Sequence, residues 1–197
     1  MQIDSTTAAE MGVALNEALL LGAEYDAERN LVATTFAVLT LPDDASPEPT
    51  DRRRQIIFSN VGRIVARLFE ARWKAAPIPF AISDLLAVVQ SLGGQPVYGW
   101  QFINPEAPGF EAWSHRPSLL LEPPGGSLEN RIALFQDDGD RDLDLWIYFE
   151  NLSIRDPLGA TISIVEFTAG GRRWWDALYA GDSRTQGHGI VMDGRAG

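Results

Sequence analysis

Residues 131–149 alternate between apolar and polar side chains on both sides of a short acidic turn. Successive side chains of a β-strand point to opposite faces, so a period of two predicts two strands here. Between them, the segment 137–140 reads Asp-Asp-Gly-Asp and contains the Asp-Gly pair that is typical of hairpin turns. The segment therefore predicts an antiparallel hairpin. Its apolar face must be covered, which commits the chain to a layered, β-rich fold. That face is formed by Ile132, Leu134, Leu143, Leu145, Ile147 and Phe149.

Short apolar and β-branched segments between prolines and glycines predict further strands. These are expected at 31–41, 55–69, 97–103, 118–122 and 160–168. The segment 55–69 forms one or two strands, with a turn or bulge at Gly62, and its continuation 63–73 also fits a helix. Helices are expected at 7–21, 83–92 and 172–180. We therefore expect an α+β, mainly β fold of antiparallel sheets, as a sandwich or half-barrel, with an N-terminal helix, a central helix and a short C-terminal helix.

A single strand-rich domain is expected to span residues 1–180, followed by a glycine-rich polar tail at 181–197. Two short segments resemble each other: 58–61 reads Phe-Ser-Asn-Val, and 149–152 reads Phe-Glu-Asn-Leu. Each follows the apolar part of a predicted strand. A second organisation, in which the domain contains two similar β units, is therefore left open.

The chain contains no cysteine, which excludes disulfides, thiolate metal sites and a cysteine nucleophile. Lys74 is the only lysine, and the glycine-rich loop of a nucleotide-binding P-loop does not precede it. The two histidines, His115 and His188, are too far apart in sequence for a helix-borne zinc pair. We expect no metal and no cofactor. We also expect no signal peptide and no membrane span, and we expect a cytoplasmic location.

The chain has 27 acidic and 16 basic side chains, which give a formal net charge of −11. This charge repels nucleic acids and anionic membranes and favours basic partners, although it also serves solubility alone. The polar face of the predicted hairpin carries Asp142, Asp144, Trp146 and Tyr148 and is the first candidate for a partner-binding surface. We therefore expect a non-catalytic interaction domain, antitoxin-like or inhibitor-like, that covers a protein partner with a basic surface.

A second candidate surface is the segment 170–176, which reads Gly-Gly-Arg-Arg-Trp-Trp-Asp. A Gly-Gly turn before Arg172 and Arg173 at a helix start favours anion binding. Trp174 or Trp175 is a candidate anchor for a protein interface, because Trp and Arg are enriched at binding hot spots. Two alternatives remain open: the tryptophans lie at a homo-oligomer seam, or one of them packs inward while the arginines pair with nearby acids.

The aromatic region 98–116 supports a different function. Tyr98, Trp100 and Phe102 are expected on one face of a strand, and a loop with further aromatic and charged side chains follows. Aromatic faces beside ionisable groups favour binding of a small molecule. The alternative function is therefore a small-molecule-binding protein or a hydrolase-type enzyme. Its site combines Trp100, Glu111, Trp113, His115 and Arg116, with His115 as acid or base, Glu111 as its partner, Trp113 as a stacking wall and Arg116 as an anion anchor.

Overall fold

A computed structural model describes residues 2–70, 76–99, 101–105 and 116–188 of the chain. Three helices and nine strands are present in this described part. The helices are α1 (Ser5–Leu15), α2 (Leu85–Ser91) and α3 (Ile164–Tyr179). The strands are β1 (Leu19–Asp26), β2 (Leu31–Ala37), β3 (Arg53–Ser59), β4 (Arg63–Glu70), β5 (Leu119–Leu121), β6 (Asn130–Asp137), β7 (Arg141–Phe149), β8 (Asn151–Arg155) and β9 (Thr161–Ile162).

The strands form two antiparallel sheets. The five-stranded sheet has the order β1-β2-β3-β8-β9, and the four-stranded sheet has the order β5-β4-β7-β6. The β6–β7 hairpin lies where the alternating pattern predicts it, with Leu134 opposite Leu145. The expected fold class, α+β and mainly β with antiparallel sheets and a helix near each end, is confirmed.

Two strand pairs pass from one sheet to the other at a shared corner. β3 pairs with β8 in the first sheet, and their continuations β4 and β7 pair in the second. Three residues, 60–62, lie opposite two residues, 149–150, so the crossing contains a bulge. The rings of Phe58 and Phe149 meet across this corner, with centroids 4.7 Å apart. The two similar four-residue segments thus occupy adjacent positions in the fold, while an internal duplication stays a prediction.

Glycine at the corner allows close backbone packing. Val61 pairs with Ser127, and a Cβ atom at Gly126 would lie 1.9 Å from the Val61 carbonyl oxygen. A Cβ atom at Gly62 would lie 2.3 Å from the Ser127 carbonyl oxygen. The irregularity predicted between two strands therefore lies at Gly62. Glycine is needed there because the loop at Ser127 packs directly against its backbone.

The core fills the space between the two sheets and is closed by the helices. α1 begins at a cap in which Asp4 accepts a hydrogen bond from the Thr7 backbone N–H, at 2.9 Å. α1 packs against α3, where a Cβ atom at Gly171 would lie 2.7 Å from the Ala14 Cα. The close approach of these two helices therefore depends on glycine. The largest fully buried side chains include Trp174, Phe36, Phe58, Phe102 and Phe149.

The predicted helix over 7–21 is too long. α1 ends at Leu15, Asn16 caps it, and Glu17 has a left-handed φ of 60°. The following apolar run belongs to β1, whose Gly22 is part of the strand and does not end the helix. Apolar residues suit a buried strand as well as a helix, so periodicity alone misassigned this segment.

The segment 160–168 was expected to be a strand, but only its first part is one. β9 contains two residues, and α3 begins directly afterwards at a Ser163 cap that accepts a hydrogen bond from the Glu166 N–H at 3.0 Å. Gly170 and Gly171 therefore lie inside α3 and not at a turn before it. The β-branched residues at the start of α3 caused the error, because packing overrides their strand preference.

The first part of the expected polar tail is held against the domain. Residues Ser183–Thr185 form a short 3₁₀ helix, and Arg184 donates hydrogen bonds to the carbonyl oxygens of Asp44 and Ser46 at 3.2 and 3.3 Å. His188 Nε2 lies 2.7 Å from Glu48 Oε2. The rest of the tail, 189–197, lies outside the described residues. None of the helices in the described ranges is both long and apolar enough to cross a membrane.

Candidate functional site

The polar face of β7 has the predicted orientation but not the expected exposure. Asp142 is 3% exposed, Trp146 6% and Tyr148 9%. The sequence predicts a partner-binding surface here, but these three side chains are almost fully removed from water. The alternation of a strand determines which side chains share a face, but not whether that face is covered.

Arginines lie over the aromatic rings of this face. The Arg131 guanidinium lies 4.5 Å from the Trp146 ring centroid, and that of Arg63 lies 5.4 Å from the Tyr148 centroid. The register explains these contacts, because Arg131 and Arg63 flank Tyr148 on the two neighbouring strands. Cation–π contacts of this kind help the sheet to hold arginines away from water. We call this cluster of Arg63, Arg131, Trp146 and Tyr148 the covered face.

Asp144 belongs to the same face and is strongly affected by burial. Loss of contact with water raises the pKa of the Asp144 carboxyl to about 6, the Arg67 guanidinium opposes this rise, and the Asp142 charge adds to it. Arg67 lies directly opposite Asp144 on β4. The acidic residues that were expected to bind a partner are thus engaged within the domain.

The aromatic region 98–116 lies largely outside the described residues. The part that lies outside includes Trp100, Glu111, Trp113 and His115, so the candidate ligand site stays a prediction. Arg116 is described and exposed. Tyr98 and Phe102 do not share one face as expected: Tyr98 is 45% exposed and contacts Phe135, whereas Phe102 is buried in the core. Within residues 96–99 and 101–105, which the structure describes, the pairing consists of isolated bridges at Pro96 and Ile103, so strand alternation does not apply there.

The arginine–tryptophan segment lies in the middle of α3 and not at its start. Trp174 is fully buried against Leu39 and Leu41, so it cannot anchor an external partner or a subunit seam. Arg173 donates to the Leu41 carbonyl oxygen at 2.9 Å and pairs with Glu166 at 3.0 Å. The expectation of an anion-binding helix start at Arg172 and Arg173 is therefore wrong.

A groove lies on the outer side of α1 and α3. It forms an open cavity of about 470 Å³ that is lined by Val13, Arg172, Trp175, Asp176 and Tyr179. Trp175 is fixed there, because its indole N–H donates to the Val13 carbonyl oxygen at 3.1 Å. Tyr179 stacks obliquely beside Trp175, with centroids 6.3 Å apart, and is 62% exposed. We call this surface the helix groove.

Charge alternates along the helix groove. Arg172 pairs with Glu10 of α1 at 3.2 Å across the rim. Asp176 is exposed, and no ion pair to it is found within the described ranges. The groove therefore offers aromatic surface beside an accessible carboxylate.

The helix groove was missed because helical spacing was not applied within the predicted helix 172–180. Arg172, Trp175, Asp176 and Tyr179 have the i, i+3, i+4, i+7 spacing that places side chains on one face of a helix. That spacing was visible within the predicted helix 172–180. The prediction treated these residues as neighbours after a turn, so it did not separate the fully buried Trp174 from Trp175 at the groove.

Two acidic side chains of the β6–β7 turn stabilise that turn through hydrogen bonds within it. Asp137 Oδ1 accepts from the Gly139 N–H at 2.6 Å, and Asp138 Oδ1 accepts from the Arg141 N–H at 2.7 Å. Asp138 also pairs with the Arg141 guanidinium at 2.8 Å. In the described part of the chain, no three His, Asp or Glu residues are grouped so as to hold a metal ion.

Comparison of the chain with protein-family models, with curated proteins and with solved structures gives no match.

Proposed function

We propose that this protein is a non-catalytic interaction domain that binds a basic segment of a protein partner in the helix groove. The observation that supports this proposal is the pairing of a mostly exposed aromatic ring, Tyr179, with the accessible carboxylate of Asp176 in one open cavity. Large aromatic side chains in such a cavity are typical of binding hot spots.

The chemistry of the groove suits a cationic side chain. An arginine or lysine of the partner can lie over the face of Tyr179 while its charged group meets Asp176, which combines a cation–π contact with an ion pair. The apolar wall formed by Val13 and Trp175 suits the methylene part of the same side chain.

The overall charge of the protein favours the same partner. The net charge of −11 attracts a basic protein over a distance and accelerates its encounter at low salt. We therefore expect association that weakens as salt is added. A cytoplasmic setting and an inhibitor-like or antitoxin-like role belong to the same proposal.

The proposal is tested by capture from native lysate with matched variants. Tyr179→Ala removes the aromatic wall, and Asp176→Lys reverses the charge. Asp176 lies in the last turn of α3, where a basic side chain is favourable, so Asp176→Lys is expected to fold. Leu158→Ala is the control, because Leu158 is 94% exposed and does not line the groove.

We expect a protein that the wild type and Leu158→Ala retain equally and that both groove variants release. Its binding should be salt-sensitive and should raise the melting temperature of the purified domain. A partner that all four proteins retain equally would overturn the groove as the binding surface. The same conclusion would follow if no species distinguished the wild type from Asp176→Lys.

A defined probe makes the same test without a lysate. An arginine-rich peptide should shift the indole N–H resonance of Trp175, and a glutamate-rich peptide of the same length should not. Each charge-assisted contact contributes about 1.5–3 kcal/mol, so Asp176→Lys should weaken peptide binding by at least about tenfold. Equal shifts with the two peptides would contradict the charge argument.

A further inference from the structure

Three polar side chains form a row on the outer face of the five-stranded sheet. Thr35 of β2 lies opposite Gln55 of β3, and Gln55 lies opposite Arg155 of β8. Neighbouring strands are about 4.8 Å apart, so a hydroxyl, an amide and a guanidinium stand side by side. We call these three residues the donor row.

The donor row is not used within the domain. Thr35 and Gln55 are half-buried and Arg155 is exposed. Across the described ranges, none of the three side chains makes a hydrogen bond or an ion pair with another residue. Nearby Arg53 differs, because it forms a two-point ion pair with Asp51, with Nε–Oδ1 at 2.9 Å and Nη2–Oδ2 at 2.6 Å. This contact holds the pKa of the Asp51 carboxyl down at about 2.

A cavity lies over the donor row. Its volume is about 220 Å³, and Arg53 and the turn 156–159 complete its wall. The nearest carboxylate in that turn is already engaged, because Asp156 Oδ1 accepts from the N–H groups of Leu158 and Ala160 at 2.9 and 2.8 Å. The hollow is therefore lined by the Arg155 guanidinium, the Arg53 guanidinium that pairs with Asp51, two neutral donors and the Asp156 carboxylate.

This hollow continues into a larger, partly apolar one. The second cavity shares Gln55 and Arg155, covers Ala33 and Ile57, and has a volume of about 770 Å³. The cross-strand register places Ala33 beside Ile57, one row away from Thr35 and Gln55. A molecule bound at the donor row would therefore lay its remaining part over Ala33 and Ile57, in a cavity that Glu24, Asp26 and Arg29 also line.

We propose that this face binds a small organic anion. Its phosphate or carboxylate head accepts hydrogen bonds from Arg155, Gln55 and Thr35, and its apolar body lies over Ala33 and Ile57. Guanidinium groups bind both kinds of head through paired N–H donors, and the adjacent amide and hydroxyl fix the orientation. Phosphate offers more acceptor oxygens and more charge than carboxylate, so we expect the phosphate form to bind more tightly. This site is separate from the helix groove and does not depend on it.

The test uses simple anions and nuclear magnetic resonance. Inorganic phosphate and acetate are titrated separately into the protein, with sodium chloride at matched ionic strength as the control for screening. We expect saturable shifts of the Gln55 side-chain amide and of the Arg155 Nε–H with phosphate. Saturation with acetate alone would instead identify a carboxylate as the head group and would also support the site.

Matched arginine variants show whether the donor row is responsible. Arg155→Gln should weaken phosphate binding by about tenfold or more, since a charge-assisted hydrogen bond is lost. Arg141→Gln, which removes an arginine of the four-stranded sheet that lines neither cavity, should leave it unchanged. Shifts that do not saturate with either anion would overturn the proposal, as would equal binding by both variants.

Discussion

The outer faces of the two sheets are built from strands with the same alternating pattern, but they differ in how far their side chains are exposed to water. On the four-stranded sheet, Trp146 and Tyr148 are almost fully removed from water, and arginines lie over their rings. On the five-stranded sheet, Thr35, Gln55 and Ile57 remain half-exposed and line open cavities. One face stabilises the domain, and the other leaves donors available to a ligand.

Side-chain size and charge pairing explain the difference. On the covered face, the two arginines opposite Tyr148 lie over the rings of Tyr148 and Trp146, so burial of the rings and cation–π contacts support each other. The open face carries Ala33 and Thr35, which are too small to cover their neighbours. A strand pattern of the same period therefore produces either a second small core or a binding surface, depending on which residues occupy the outward positions.

The largest expected effect comes from breaking the covered face. Trp146→Ala removes a side chain that is 6% exposed, and it should lower the free energy of unfolding by about 3–5 kcal/mol. The matched change on the open face, Ile57→Ala, should cost about 1 kcal/mol, because Ile57 is already half-exposed. Urea unfolding of both variants measures the contrast. Similar losses would show that the two faces do not differ in their contribution to stability.

The second prediction uses the pH dependence of the covered face. Burial raises the pKa of Asp144 from 3.8 to about 6, so the folded protein binds this proton more tightly than the unfolded chain. Stability should therefore fall as the pH rises from about 4 to about 6, and then change little from this cause. The expected loss is about 2 kcal/mol, since part of the carboxyl still contacts water. Asp144→Asn should flatten this region of a plot of unfolding free energy against pH.

The sequence predicted orientation well and exposure poorly. Alternation over 131–149 correctly identified the two faces of β7, but it contains no information on what lies above a face. Burial of Asp142 and Asp144 depends on the position of other parts of the chain. The burial of this face is therefore a tertiary effect, and the alternating pattern of one hairpin could not predict it.

Helix α3 shows a second limit of prediction from the sequence, which concerns the direction in which adjacent side chains point. The predicted helix 172–180 contained the spacing of Trp175, Asp176 and Tyr179, but the prediction grouped adjacent residues and did not distinguish Trp174 from Trp175. In a helix, adjacent side chains point in different directions, so Trp174 enters the core while Trp175 lines the helix groove. The donor row required cross-strand register, which no local pattern of the separate strands contained.

A double-mutant cycle sharpens the description of the covered face. Arg131→Gln and Trp146→Leu, measured singly and together, isolate the contact between guanidinium and indole. We expect a coupling free energy of about 1 kcal/mol, typical of a cation–π pair that is partly removed from water. Urea unfolding of the four proteins gives the value. Simple additivity of the two changes would mean that the 4.5 Å contact contributes nothing specific.

The smallest expected effect is the change of one arginine on the open face. Arg155→Gln removes a guanidinium that forms no ion pair within the described ranges, so the free energy of unfolding should stay within about 0.5 kcal/mol of the wild type. Arg131→Gln, the matched change on the covered face, should cost more because a ring contact is lost. Unfolding curves without phosphate compare the two variants directly. If Arg155→Gln destabilised the domain as much as Arg131→Gln, Arg155 would have a structural partner. That result would contradict the proposal that the donor row is a binding site. An arginine whose removal leaves stability unchanged but weakens anion binding is one that the fold keeps available for a ligand.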